Sequence, residues 1–338
     1  MLTQKSKSFA TISDVAKHAQ VGKTSVSRYL NGEQDKLSAS LQEKIALAIE
    51  QLDFRPNHSA RMLKAGQSKV IGLLLADVTN PYSIEVLQGI EQVCQREGYM
   101  LMVCNTDNQE ALQDRYLSLL EGHRVDGIIV NTAGMAHKQI SNLQRISCPL
   151  VLVDRIDTSL GFDSVGLDNR SAVQQACTHL QHQAYDAILV ITESIAIDPR
   201  QARVDAIRAF FTANSAITCQ IAEINNTRVA TLVDVIADFM RTHTGQKMAI
   251  FTTNGVVMMS AVKALQQLTL AIGSDIGLIS IDDPEWAQLF EGGITVMRQP
   301  TREIGQTACT RLLSRIQGDQ TSAQQLTLKA ELIVRRST

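Results

Sequence analysis

TISDVAKHAQVGKTSVSRYLN, residues 11–31, reads as two short helices around a tight turn. Thr11 is placed to cap the first helix, and Asp14 three residues on completes a capping-box-like pair. Ile12, Val15, Ala16 and Ala19 recur on one helical face. The turn falls at Gln20-Val21-Gly22, and Gly22 is an acceptable N-cap for a helix that begins at Lys23. On that second helix Lys23, Thr24, Ser27 and Arg28 share a polar arc, while Val26, Tyr29 and Leu30 face the first helix. The arc is rich in donors and holds no carboxylate, which suits phosphates and the acceptor edges of guanine. A generic surface hairpin would merely show polar groups to water. The spacing, the missing acidic residues and the N-terminal position favour a DNA-binding helix-turn-helix.

The 338 residues leave room for two or three domains, and 44% hydrophobic content is ample for packed cores. A net charge of −2 hides an asymmetry: residues 1–68 carry ten Lys/Arg against six Asp/Glu, the remainder 22 against 28. A basic head on a mildly acidic body fits a polyanion-binding module joined to something else. Six cysteines (94, 104, 148, 177, 219, 309) show no metal-ligand spacing and sit in apolar runs, as expected of a reducing cytoplasm. The first ten residues lack the apolar core of a signal peptide, and no apolar run approaches membrane-spanning length. A cytoplasmic protein with no membrane partner is expected.

Ser38 caps a third helix, Ala39 to Leu52, with Leu41, Ile45, Ala48 and Leu52 inward. It stops before Phe54-Arg55-Pro56, because a residue preceding proline is pushed out of the α region. From Lys69 onward strands and helices alternate. Short strands are expected at Val70–Leu75, Tyr99–Cys104, Gly127–Asn131 and Pro149–Val153, then at Ala187–Thr192, Thr218–Ile224, Met248–Thr252 and Gly277–Ile281. Two such series imply two similar subdomains, each a doubly wound parallel sheet. Ligands in such sheets sit at the carboxyl ends of strands, where polar residues follow: the Asp77–Ser83 stretch, Asn131, Asp154-Arg155, Asn254 and Asp282-Asp283. No nucleophile elbow, phosphate loop or dinucleotide fingerprint appears, and the histidines have no ligand spacing. Neither catalysis nor a cofactor or metal is expected.

The pattern IxDVAxxAxVxxxSVSRYLNG resembles the start of the lactose/galactose repressor (LacI/GalR) family of bacterial transcription factors, and the similarity runs over nearly the whole chain. The resemblance implies an all-α helix-turn-helix head, residues 1–55, and a hinge helix at 56–68. It also implies a periplasmic-binding-protein-like α/β body at 69–338. Subdomain 1 would take about 69–167 and 300–325, subdomain 2 about 168–299 and 326–338, with chain crossovers near 168, 299 and 326. The implied DNA contacts are Thr11, Ile12, Lys23, Thr24, Ser27, Arg28 and Asn31, with Asn57, Ala60 and Leu63 in the hinge. Leu63 matches an apolar wedge for the minor groove. Tyr82, Asn131, Asp154, Arg203, Asn254, Asp282 and Gln299 match effector contacts. No heptad run closes the chain, so a homodimer reading a palindromic operator is expected rather than a tetramer.

For the effector, Asp198-Pro199 is a good helix start, which places Arg200 and Arg203 in or just past the first turn. The macrodipole disfavours cations there, and two arginines at that end invite an anion. Asp282 is an alternative partner for one of them, and Arg155 adds a third cation near the same crevice. The stretch VLVDR…GFDSVGLDN looks like the branch of the family that senses ketogluconates and related sugar acids. The expectation is a repressor of sugar-acid catabolic genes with a gluconate- or ketogluconate-type effector. The alternatives are a neutral sugar or purine effector, a non-regulatory sugar-binding protein, and an α/β enzyme without a visible catalytic set.

Overall fold

Three helices close the N-terminal unit. The computed structural model describes residues 10–55, 67–132, 135, 137–154, 161–195, 198–224, 228–290 and 292–338, and the chain divides into two compact units, 1–68 and 69–338. In the first, α1 (Ile12–His18), α2 (Lys23–Leu30) and α3 (Ala39–Gln51) surround a small core of Val15, Ala16, Ala19, Val26, Leu37, Ile45, Ala48 and Phe54. The capping box forms as read: Thr11 N–H donates to Asp14 Oδ2 at 2.8 Å, and Asp14 N–H to Thr11 Oγ1 at 3.3 Å. That hydroxyl and backbone bonding holds the Asp14 carboxyl below its usual range. Ile12 departs from the expected inward face and stays 38% exposed. α2 ends in a Schellman arrangement, with Gly32 left-handed at φ 78° and the Glu33 N–H donating to Arg28 O at 3.0 Å.

The second unit holds two six-stranded sheets. Sheet A is built from β1 (Val70–Leu75), β2 (Met100–Asn105), β3 (Gly127–Asn131), β4 (Leu150–Val153), β5 (Asp163–Leu167) and β11 (Gln325–Leu328), in the order β11-β5-β4-β3-β1-β2. All its pairings are parallel. α4 (Pro81–Glu97) and α11 (Thr301–Ile316) cover one face. α5 (Glu110–Gly122) and the short α6 (His137–Asn142) cover the other. Sheet B contains β6 (Ala187–Thr192), β7 (Thr218–Glu223), β8 (Met248–Thr252), β9 (Gly277–Ile281), β10 (Thr295–Arg298) and β12 (Glu331–Ile333). Its order is β12-β10-β9-β8-β6-β7, with β12 the antiparallel edge. α7 (Asn169–His182) and α8 (Asp198–Ala213) pack on one side, α9 (Val229–Thr242) and α10 (Gly255–Gln267) on the other. Central strands buried on both faces read as continuous apolar runs, which is how they were legible.

Four strands, β5, β10, β11 and β12, were not anticipated. β5 and β10 are short, and β5 starts with polar residues, yet each is the fifth parallel strand of its half. The third crossover also moves. β11 pairs in register with β5, Leu326 against Val165 and Leu328 against Leu167, so residues 326–328 belong to the first subdomain. The chain crosses after Leu328, and only β12 and the C-terminal residues join sheet B. α4 and α11 meet backbone to backbone: a Cβ on Gly89 would lie 2.1 Å from Arg302 O, and one on Gly305 2.2 Å from Val86 O. Only glycine fits either position.

Candidate nucleic-acid interface and effector crevice

On the head, Lys23, Thr24, Arg28 and Asn31 are exposed and Ser27 is half-buried, while Val26 on the opposite side is fully buried. Asn31 Nδ2 donates to Ser27 Oγ at 3.4 Å. The first turn of α2 carries no acid, and Gly22 offers no side-chain cap. A donor-rich ridge therefore stands clear of its own protein, the requirement for entering an acceptor-lined groove. His18 Nε2 lies 2.6 Å from Gln51 Oε1, tying α1 to α3 behind that ridge. Asn57, Ala60 and Leu63 lie outside the described residues.

In the body, eight of the nine anticipated crevice residues line one cavity of about 120 Å³: Tyr82, Asn131, Asp154, Arg200, Arg203, Asn254, Asp282 and Gln299. Arg155, the ninth, lies outside the described residues. The cavity adjoins a groove of about 850 Å³ that shares Tyr82, Asp282 and Gln299. Four of them arrive by the same local rule, a strand ending at the crevice and a polar side chain at its end. Asn131 ends β3, Asp154 follows β4, Asn254 caps α10 through Val257 N at 2.9 Å, and Asp282 follows β9.

Asp154 and Asp282 are equivalent in the two subdomains and share an uncommon backbone, with φ of 81° and 82°. Each donates its N–H to the next strand, Asp154 to Val165 O and Asp282 to Met297 O, both at 3.0 Å. Left-handed aspartates at matched sites mark a built feature, since such strain clusters at ligand clamps. Asp282 is held by Gly255 N–H at 2.9 Å and Gln299 Nε2 at 2.5 Å. Among the described residues it pairs with neither Arg200 nor Arg203, the alternative that the sequence had left open. Burial first, with the Asp282 charge adding to it against the pull of Arg203, raises the Asp154 carboxyl above its usual range. Burial also raises the Tyr82 hydroxyl well above the usual phenol value. Tyr82 Oη lies near Asp154 but completes no hydrogen bond among the described residues, and Gln299 Oε1 is likewise buried without a partner.

The two helix-start arginines part ways. Arg200 Nη2 pairs with Glu193 Oε2 at 2.7 Å, and Asn254 Nδ2 donates to the same oxygen at 2.9 Å. Arg203, only 4% exposed, has no carboxylate partner among the described residues. Its Nε donates to Asn169 Oδ1 at 2.7 Å and its Nη1 to Thr253 O at 2.6 Å, and the residue lines the cavity. Sequence reasoning missed Glu193 and Asn169. Glu193 directly follows β6, so the rule that found Asp154 and Asp282 would have found it too.

A helix-turn-helix head and a two-lobed body with a polar crevice define a DNA-binding transcription regulator with a small-molecule site. The sequence models agree: one described as bacterial regulatory proteins, lacI family, matches residues 11–57. Another, periplasmic binding proteins and sugar binding domain of the LacI family, matches residues 68–336. The chain belongs to the LacI family of bacterial regulatory proteins. It is 40% identical over 336 residues to the HTH-type transcriptional regulator PtxS of Pseudomonas aeruginosa, covering 98% of this chain and 97% of that protein. It is 35% identical over 338 residues to the regulator KdgR of Bacillus subtilis, covering 99% and 100%. Among solved structures, the lac repressor dimer bound to operator and the anti-inducer ONPF shares the fold with a TM-score of 0.86 at 20% identity, over 98% and 99% of the two chains. No helix among the described residues is long and apolar enough to cross a membrane.

Proposed function

We propose that the chain is a homodimeric repressor of sugar-acid catabolic genes, released from or fixed to a palindromic operator by a hexonate-type effector. The observation that carries the effector class is Arg203: a buried guanidinium that lines the cavity and has no carboxylate partner among the described residues. A buried charge is costly unless paired, and a carboxylate ligand would pair it. Tyr82 Oη and Gln299 Oε1, both buried and without a hydrogen-bond partner among the described residues, supply one donor and one acceptor for hydroxyl groups beside it. Asn254 is less available than its position implied, because its amide is already held by Glu193 and by the start of α10. The likeness of VLVDR…GFDSVGLDN to the sugar-acid branch supports the same class.

On the DNA side, Lys23, Thr24 and Arg28 read base edges, and Thr11, Ile12, Ser27 and Asn31 border the backbone. Asn57, Ala60 and Leu63 enter the minor groove from the hinge. Calorimetric titration with gluconate, 2-ketogluconate and 2-keto-3-deoxygluconate, against neutral hexoses and purines, tests the effector. Binding of a neutral sugar or purine and none of the acids would overturn it. Selection of fragmented genomic DNA on the purified protein tests the operator, where one discrete palindrome is expected.

A further inference from the structure

Glu193 is a carboxylate placed inside a crevice whose arginines otherwise suit an anion. We propose that Glu193 sets the charge the effector is allowed to carry, so that the crevice takes a polyhydroxy monoanion and rejects dianions such as phosphorylated or dicarboxylic sugar acids. This rests on the sugar-acid reading above and goes beyond it by naming the discriminating residue.

The geometry is specific. The Glu193 carboxylate is gripped from two elements, by Arg200 at 2.7 Å from the first turn of α8 and by Asn254 at 2.9 Å from the cap of α10. Both partners are themselves anchored: Asn254 Oδ1 accepts from Val257 N–H, and Arg200 is only about one-fifth exposed. Arg200 is thereby neutralised and cannot turn to a ligand without stranding Glu193. Among the described residues of the cavity, Arg203 remains the guanidinium that no side-chain carboxylate claims. A first ligand carboxylate meets Arg203. Among the described residues, a second negative group would face Glu193 and Asp282 with no free cation to meet it. Like charges a few ångströms apart in a partly desolvated cavity repel strongly. A neutral polyol would leave Arg203 unpaired, so selection works in both directions.

Glu193→Gln is the informative change, because the amide oxygen still accepts from Arg200 and Asn254 while the charge is removed. Calorimetry would measure gluconate and 2-ketogluconate as monoanions and glucarate and 6-phosphogluconate as dianions. In the unaltered protein the dianions are expected to bind at least roughly tenfold more weakly. In Glu193→Gln that ratio should shrink by roughly tenfold or invert. An unchanged ratio, or unaltered protein that binds glucarate as tightly as gluconate, overturns the proposal. If the unaltered protein binds no acid at all, the effector reading itself fails, which is a separate outcome. Should Glu193→Gln lose its cooperative melting transition, Arg200→Gln carries the test. With Glu193 then unpaired, both classes weaken and the dianions weaken more; equal weakening overturns the proposal.

Discussion

Replacing Arg203 with Met removes the guanidinium and keeps an unbranched side chain in the same space. Two internal hydrogen bonds go with it, from Nε to Asn169 and from Nη1 to Thr253 O. Hydrogen bonds to charged groups contribute about 1.5–3 kcal/mol each. The variant also no longer buries a guanidinium, whose effective desolvation cost is several kcal/mol. The two contributions oppose each other, and folded stability should change by no more than about 2 kcal/mol. Effector binding has no such offset. Removing one side of a buried, hydrogen-bonded charge pair costs about 2–5 kcal/mol, a loss of roughly 30-fold to several-thousand-fold in affinity at 1.4 kcal/mol per decade. A neutral hexose would lose one ordinary hydrogen bond, about 0.5–1.5 kcal/mol. The Arg203→Met protein should therefore lose most of its preference for gluconate over glucose. Calorimetric titration of both ligands, with urea unfolding as the stability control, measures each quantity. Retention of acid affinity within about threefold would refute the role given to Arg203.

Three other outcomes are expected. Arg28→Ala should cost about 1–3 kcal/mol on the operator and relax preference at one base pair per half-site; equal loss on all sequences in gel-shift competition would make Arg28 a phosphate contact instead. Burial raises the Asp154 carboxyl, so its contribution to stability falls as pH rises from the ordinary carboxylate range through the raised value. An arriving effector carboxylate raises Asp154 further, so binding takes up a proton and tightens as pH falls; calorimetry in two buffers of different ionisation enthalpy should detect the uptake, and Asp154→Asn should abolish it. Gly305→Ala would drive a methyl against Val86 O and force α4 from α11, at about 1–3 kcal/mol by urea midpoint, and an unchanged midpoint would mean the two helices part freely.

Much of this was legible in the chain because it is local. The Thr11–Asp14 box, the capped start of α3 and the apolar β1, β3, β4, β6, β8 and β9 each depend on neighbours in sequence. β5 was not, because Asp163 and Ser164 are polar residues in a buried strand. Burial alone would raise the Asp163 carboxyl, yet hydrogen bonds from Arg315 and the Gln324 N–H, with the Arg311 guanidinium paired at 3.1 Å, bring it below its usual range. Those partners are far along the chain, so no window of sequence displays the compensation. The crevice shows the same division. Placing polar residues after strands located Asn131, Asp154, Asn254 and Asp282, and the family pattern added Tyr82, Arg203 and Gln299. What neither could show is which charges cancel: Arg200 and Arg203 look alike in sequence, and only their distances to Glu193 and Asn169 separate them.

The chain's three passages between the lobes bear on how the molecule is made. Arg315 reaches back 152 residues to Asp163, and β11, the edge strand beside β5, emerges later still. At about 5–20 residues per second of synthesis, the ribosome takes roughly 8–30 s to supply that guanidinium. During that interval Asp163 has no cation to accompany it into the sheet, and α4 lacks the helix that covers its glycine face. The first lobe to be translated is therefore closed by some of the last residues to emerge, while most of the second can assemble before it. A chain cut near residue 300 should leave the first lobe open beside β5 and over α4, and the second short only of β12 and the C-terminal residues.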